Sequence, residues 1–263
     1  MTRSAAKSPI GTLARGLHVV SCIAAAGTSV GLTELAQAAR LDKTTTYRLS
    51  TKLVELGYLE QDADGRFRLG LHILDLGFAY LASLDIRERA LPEMRRLREE
   101  LDGTISLCLL DGADIVYVER FAPKRLQASL PVGVGARLPA YCTAMGKALL
   151  AELSAAERDR LLRGAKLKKF TPQTVTDRAA LLHELDESRA RGFAISDNEM
   201  VVGLRAAGAA IKDRDGAPIA ALSVAISADR ITAAELVREI GPRVRKAALL
   251  IGSRTPSGMA VTA

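Results

Sequence analysis

The chain has 263 residues, 48% hydrophobic and 25% charged, enough apolar material for two ordinary globular domains. No apolar run approaches the roughly 18–20 residues of a membrane helix, and the start MTRSAAKSPI carries no secretory segment, so a cytoplasmic protein away from membranes is expected. Three cysteines without CxxC spacing argue against a disulfide framework and a structural zinc site, and nothing in the sequence calls for a metal or cofactor.

The net charge of +7 has the sign that attracts polyanions, but its distribution locates no site. Residues 1–84 hold nine Lys/Arg and seven Asp/Glu, a net of +2, and the other +5 lies in the remainder. Residues 1–10 read as a flexible arm with Arg3 and Lys7, either a minor-groove reacher or a disordered terminus. A helix follows at Leu13–Ala26, ended by Gly27, with Leu17, Val20 and Ala24 on its expected buried side.

Residues 32–67 then read LTELAQAARLDKTTTYRLSTKLVELGYLEQDADGRF: a short helix, a tight corner, a second helix and a two-stranded ribbon. Gly31 stands three residues before Glu34, a capping box with Gly in place of Ser or Thr. Asp42 is placed to cap the second helix near Thr44 or Thr45. From Lys43 to Leu56 the pattern divides at 100° per residue. Thr46, Leu49, Leu53 and Leu56 share the core side; Thr44, Thr45, Arg48, Thr51 and Lys52 share the other. That outer side has hydroxyls and cations but no carboxylate until Glu55, the residue types that contact phosphates and base edges. A core helix with a polar back would show the same period. What favours a nucleic-acid reader is the ribbon after Gly57, whose turn Asp62-Ala63-Asp64-Gly65 leads into a strand carrying Arg66 and Arg68.

Leu71–Leu84 is a helix apolar on more than one face, which fits either a linker packed on its copy in a second subunit or burial within one subunit. Ile86–Leu101 is a charged amphipathic helix. Strands are expected at Thr104–Leu110, Ile115–Phe121 and Leu126–Leu130, then a loop over 131–139. Helices follow at Tyr141–Glu152, Ser154–Arg163 and Asp177–Arg191; strands return at Phe193–Ser196, Arg205–Asp213 and Ala217–Ile226. Thr232–Ile251 is the last helix, and 253–263 a disordered tail. Strands, helices and strands again give an α+β domain on an antiparallel sheet.

This second domain lacks a P-loop, GxSxG and HExxH, and Gly133-Val134-Gly135 lacks the third glycine of a dinucleotide loop. Cys142 near a helix start could be a nucleophile, but His18, His72 and His183 all lie far away in sequence. Ala221, Ser223 and Ala225 form a small strand face opposite Leu222, Val224 and Ile226, and Arg205–Ala210 is almost empty of bulk. Such faces either sit tightly under a helix or leave a hollow. The helix start at Ala140–Thr143 favours the hollow, because its N–H groups could hold a carboxylate with Tyr141 or Thr143 adding a hydroxyl. Asp197-Asn198-Glu199 reads equally as ligand acceptor or turn chemistry.

The blocks LTELAQAARLDKTTTYRLSTKLVELGYLEQD (32–62), RFRLGLHILDLG (66–77), GVGARLPAYCTAMGKALLA (133–151) and RGFAISDNEMVVGLRAAGAAIKDRDGAPIAALSVA (191–225), in this order, resemble an IclR-type bacterial transcriptional regulator. The phrase LPAYCTAMGKALLA is most similar to the branch governing protocatechuate, 4-hydroxybenzoate and β-ketoadipate catabolism. The resemblance implies an all-α winged helix-turn-helix domain with a small β wing (11–70), a linker and dimerisation helix (71–85) and a GAF-like α+β effector domain (86–252). It further implies a homodimer or dimer of dimers on a double-stranded operator, controlled by a small aromatic or keto acid and governing an aromatic-acid catabolic operon. Thr44, Thr45, Arg48, Thr51, Lys52, Arg66 and Arg68 would meet DNA. The effector would meet Ala140, Tyr141, Cys142, Thr143, Ala144, Asp197, Glu199, Ala206, Ala207, Ser223 and Ala225. The competing class is a thiol-dependent acyl-transfer enzyme using Cys142.

Overall fold

A computed structural model of the chain describes residues 9–123 and 132–256. The strand expected at 126–130, all but the end of the N-terminal arm and most of the tail lie outside the described residues. Two compact units divide between Ser83 and Leu84.

The first unit runs α1 (Pro9–Ala26), α2 (Leu32–Ala39), α3 (Lys43–Glu55), β1 (Leu59–Gln61), β2 (Phe67–Leu69) and α4 (His72–Ala82). Its core is Val19 and Ile23 of α1, Val30, Leu35 and Ala39 around α2, and Leu59 and Phe67 of the hairpin. The buried side of α1 thus differs in part from the expected Leu17, Val20 and Ala24: Val20 packs half-buried against this core, but Leu17 is 60% exposed and Ala24 faces out. The reason is that α1 is apolar nearly all round, so periodicity fixes its existence and not its phase. Leu56, expected on the core side of α3, caps the helix and is exposed. Phe67 ties the hairpin to the segment before α2 through Val30, with Val30 N–H donating to Phe67 O at 2.8 Å and Phe67 N–H to Val30 O at 2.9 Å. No residue of α4 is buried; Leu74, Leu76, Phe78 and Tyr80 are all more than half exposed.

The second unit opens with α5 (Asp85–Glu100), then β3 (Thr104–Asp111), β4 (Asp114–Phe121) and β5 (Arg137–Pro139). The short β5 replaces part of the expected 131–139 loop, pairing its Leu138 with Ile115 of β4. A 3-10 turn (Ala140–Cys142) precedes α6 (Ala144–Glu152), so the helix starts three residues later than expected, capped by Thr143. Then come α7 (Ala155–Gly164), α8 (Arg178–Arg191), β6 (Ala194–Asp197), β7 (Leu204–Lys212) and β8 (Pro218–Ser227). The closing helix has three pieces: α9 (Ala233–Glu235), a π-type stretch (Leu236–Ile240) and α10 (Gly241–Ser253). The tail is not loose from 253 onward. Thr255 is fully buried, its hydroxyl donating to Ile251 O at 3.0 Å, and Arg89 Nη1 donates to Arg254 O at 2.7 Å.

The six strands form one antiparallel sheet in the order β5-β4-β3-β8-β7-β6. Strand alternation gives β8 one bulky face, Leu222, Val224 and Ile226, and one small face, Ala221, Ser223 and Ala225. The small face lies under α6, and Gly208 of β7 explains how closely. A Cβ there would stand 2.6 Å from Ala144 C and 2.8 Å from Met145 N. Gly208→Ala must therefore lift the start of α6. Overpacking of this kind costs about 1–3 kcal/mol, and urea unfolding of the full chain should show that loss.

Candidate functional site

Two places gather chemistry. The first is the outer side of α3. Its start is fixed by Asp42, whose Oδ1 accepts the Thr45 N–H at 2.7 Å, and by Arg40, which turns the corner in the left-handed region at φ 52°. Thr44, Arg48 and Lys52 are exposed, with Thr45 and Thr51 half-buried, while Thr46 and Ser50 point inward and are fully buried. Glu55 is reached only at the last turn, where Lys52 Nζ donates to it at 2.7 Å. Exposed pairs of this kind are worth at most about 1 kcal/mol, so a phosphate can draw Lys52 away.

The structure adds residues that the sequence did not mark. Tyr47 is 51% exposed on α3. Thr12 and Arg15 of α1 line one groove with Thr45, Arg48, Leu49 and Lys52. An α1 without a clear apolar phase gave no way to see which side Arg15 would take.

The hairpin arginines are engaged differently. Arg66 is a strap: its guanidinium donates to Ser29 O at 2.9 Å, Ser29 Oγ at 3.3 Å and Glu34 Oε2 at 3.1 Å. The same Glu34 oxygen accepts the Gly31 N–H at 3.0 Å, which supplies half of a capping box; Gly31 has no side chain to supply the other half. Arg68 pairs with Glu60 across the hairpin at 2.7 Å and stays exposed.

The second place is a cavity of about 50 Å³ between the small sheet face and the start of α6. Thr104 and Ser106 of β3, Tyr117 and Arg120 of β4, Ser196 of β6, Ala206 of β7 and Ser223 and Ala225 of β8 form its sheet side. Thr143, Ala144 and Met145 close it from α6, and Leu138, Met200, Val201 and Leu204 complete it. Tight packing and a hollow therefore coexist: α6 rests on Gly208, and the space opens beside that contact.

Of the expected effector residues, Thr143, Ala144, Ala206, Ser223 and Ala225 line this cavity. Ala140, Tyr141 and Cys142 are buried behind it in the hydrophobic cluster. The Tyr141 hydroxyl donates to Lys168 O, and burial pushes its pKa up to about 12. Ala207 is also fully buried, one step from Ala206 and hence on the opposite sheet face. Asp197 accepts Arg205 Nε at 2.7 Å. Glu199 is buried against Lys147, a wholly buried lysine that also donates to Glu184 at 2.7 Å and to Ile195 O at 3.4 Å. Burial raises the Glu199 carboxyl, with Lys147 opposing the shift. Thr104, Ser106, Tyr117, Arg120 and Ser196 were missed. For Thr104 and Ser106 a signal existed, since they alternate with bulky residues in TISL just as Ser223 does in β8.

Cys142 lacks the setting of a nucleophile. Burial is the main cause that pushes its thiol up to about 12, Glu199 adding to it, and its Sγ rests 3.6 Å from Met200 Sδ. A thiolate needs the opposite environment.

Two family models match the chain: the IclR helix-turn-helix domain over residues 12–63, and the bacterial transcriptional regulator IclR C-terminal domain over residues 78–253. The chain belongs to the IclR family of bacterial transcriptional regulators. It is 34% identical to the transcriptional repressor IclR of Escherichia coli over 92% of this chain and 89% of that protein. The Pca regulon regulatory protein of Pseudomonas putida is 33% identical over 88% and 79%. Among solved structures, an IclR homolog from Microbacterium hydrocarbonoxydans complexed with 4-hydroxybenzoate aligns with a TM-score of 0.79 at 26% identity, covering 92% of this chain and 97% of that one. The first unit thus carries the helix-turn-helix of an IclR regulator and the second its C-terminal effector domain. These proteins are regulators, and none supports the acyl-transfer alternative.

The Lys147 cluster holds the wall of that effector domain together. Lys147→Met would leave Glu199 and Glu184 without their buried cation, and breaking a buried pair in this way costs about 3–5 kcal/mol. Denaturant unfolding should show that loss, with part of it recovered when Glu199→Gln is added.

Proposed function

We propose that the protein reads an operator through the outer side of α3 as a homodimer, and that a small organic acid in the cavity of the second unit controls this binding. The observation that carries the DNA reading is the exposed row Thr44, Arg48 and Lys52, free of carboxylates through three turns and continued by Arg15 of α1. Arg48 has the reach and fork geometry to read guanine, and Thr44, Thr45 and Thr51 offer hydroxyls to bases or phosphates. The β1–β2 hairpin serves as the wing, with Arg68 moving from Glu60 to a flanking phosphate while Arg66 holds the hairpin to α2.

Dimerisation is supported by the apolar side chains that α4 leaves exposed, since a surface of that kind is normally covered. A two-fold pair of heads asks for an inverted repeat with half-sites whole helical turns apart, and a dimer of dimers would engage two such repeats. The effector classes are aromatic and keto acids. The Pca regulator and the 4-hydroxybenzoate complex support the aromatic one, and with it an aromatic-acid catabolic operon in the cytoplasm.

Arg48→Ala should weaken operator binding by about 1–3 kcal/mol in fluorescence anisotropy at fixed salt. Unchanged affinity would overturn the assignment of that helix side. Placing Glu at both Leu74 and Phe78 should turn the protein monomeric in sedimentation and cut operator affinity with it. A dimer that survives both charges would place the interface elsewhere.

A further inference from the structure

Among the described residues, α4 is bonded to the rest of the first unit only at its start. No residue of the helix is buried, and His72 is the one α4 side chain with a polar contact outside the helix. Its Nδ1, in the tautomer that carries a proton there, donates to Leu56 O at 2.7 Å. Leu56 is the C-cap of α3, so this carbonyl belongs to the helix end whose oxygens have no partner inside the helix. The next carbonyl, Gly57 O, accepts the His72 backbone N–H at 3.4 Å, and Tyr58 O accepts the Gly70 N–H at 2.9 Å. The first residue of α4 thus closes the carbonyl end of the helix that carries Arg48 and Lys52. Two glycines make the crossing close. A Cβ on Gly70 would collide with Gly57 O, and one on Gly57 would stand 2.5 Å from His72 Nδ1. The segments leaving α3 and entering α4 therefore pass backbone against backbone, with the imidazole laid over Gly57. The same ring stands T-wise to Tyr58, centroids 5.9 Å apart at 79°.

We infer that His72 is a positioning residue for operator recognition: by closing the end of α3 it sets the angle of the reading helix on α4, and hence the half-site spacing that a dimer accepts. This rests on the operator and dimer readings above. Leu56 lies eight residues beyond Arg48, about 12 Å along the helix axis, so losing the bond leaves the base-reading side chains in place. In a dimer joined through α4 each head is carried on its own copy of that helix, and the joint at its start decides where α3 points. With stiff joints, the second head meets a correctly spaced half-site at high effective concentration, a gain of about 10²–10⁴ in affinity. A wrongly spaced half-site forfeits most of that gain. A loose joint surrenders part of it to the freedom of the head and also admits misplaced half-sites. His72 has the right place for this control, because the hydrogen bond, the ring contact and the backbone crossing all meet at one point.

The test uses duplexes selected by the full chain from a random pool, then rebuilt as single half-sites and with the spacer changed by about three base pairs, close to a third of a turn. Fluorescence anisotropy at fixed salt gives the affinity for each duplex, and sedimentation gives the oligomeric state. His72→Ala should lower the preference for the selected spacing by roughly three- to tenfold, the factor to which a hydrogen bond of this kind converts. Affinity for a single half-site, the dimer and the melting temperature should change little. His72→Asn, whose amide nitrogen corresponds in position to Nδ1, should restore most of the preference. His72→Leu keeps bulk over Gly57 without the donor and should not restore it; this variant serves if the alanine one folds poorly. A spacing preference that survives both His72→Ala and His72→Leu overturns the inference and leaves the operator reading intact. Equal loss on every duplex, single half-sites included, also overturns it, because His72 would then only support the fold of the head. If the unaltered protein prefers no spacing, or binds as a monomer, the dimeric operator reading falls as well.

Discussion

The second unit depends on one close approach: the backbone at the start of α6 lies where a side chain on Gly208 would be. A helix normally stands a full layer of side chains away from a sheet, because side chains from both fill the gap. Here β7 and β8 present Ala206, Gly208, Ala221, Ser223 and Ala225, and the gap closes at Gly208. Once α6 is seated there, the cavity beside it follows from the same residues. Their small side chains cannot fill the remaining space, and the next strand, β3, adds only the small side chains of Thr104, Ser106 and Cys108 opposite Ala225, Ser223 and Ala221.

A hollow against a small-residue face would collapse if its other wall could move freely, and Lys147 resists that movement. It emerges from α6 one turn beyond Thr143 and is held by carboxylates from α8 and from the β6–β7 connection. Its further bond to Ile195 O fixes the strand next to Ser196. Burying this cluster gains little net stability against an apolar equivalent; what it provides is position. Two walls of the cavity, α6 and the 196–201 segment, are tied to one charged atom with no solvent access. Glu199 therefore shapes the space without lining it.

What was legible in the sequence follows the kind of signal each residue carries. The α3 start was readable because Asp42 capping and the three-residue step to Thr45 are local. The small face of β8 was readable because a strand alternates with period two. The phase of α1 was not, since Leu13, Leu17, Val19, Val20 and Ile23 spread apolar character round the helix and only tertiary packing chooses among them. Asp197 and Glu199 were read for what their carboxylates could offer a ligand, but Arg205 and Lys147, distant in sequence, engage those carboxylates. Arg120 and Tyr117 belong to a strand whose place beside β3 is set by pairing. Their alignment with Ser106 and Cys108 is a property of register that no single strand contains.

One rule connects the two functional surfaces. Over the first three turns of α3, and on the lining of the cavity, no carboxylate stands among the donors, although Lys52 reaches Glu55 at the last turn of α3; elsewhere the chain mixes cations and acids closely, as in Arg87 with Glu119, Arg158 with Asp186 and Arg178 with Asp159. Self-pairing is the default for a protein with 37 basic and 30 acidic residues, because an unpaired cation forgoes an inexpensive contact. A surface that withholds acids is therefore shaped for anions from outside. In the proposed reading of α3 those anions are the phosphates and electronegative base edges of a duplex, reached in water and sensitive to salt. In the cavity the side chains of Thr104, Ser106 and Ser223 are buried, so polar contacts made there act in a low-dielectric setting. An effector of the kind proposed acts on operator binding only through contacts that differ between two conformations of the protein. The seam between the start of α6 and the sheet is where a difference of that kind can arise, because Thr104, Ser106 and Ser223 of the sheet stand across the cavity from Thr143, Ala144 and Met145.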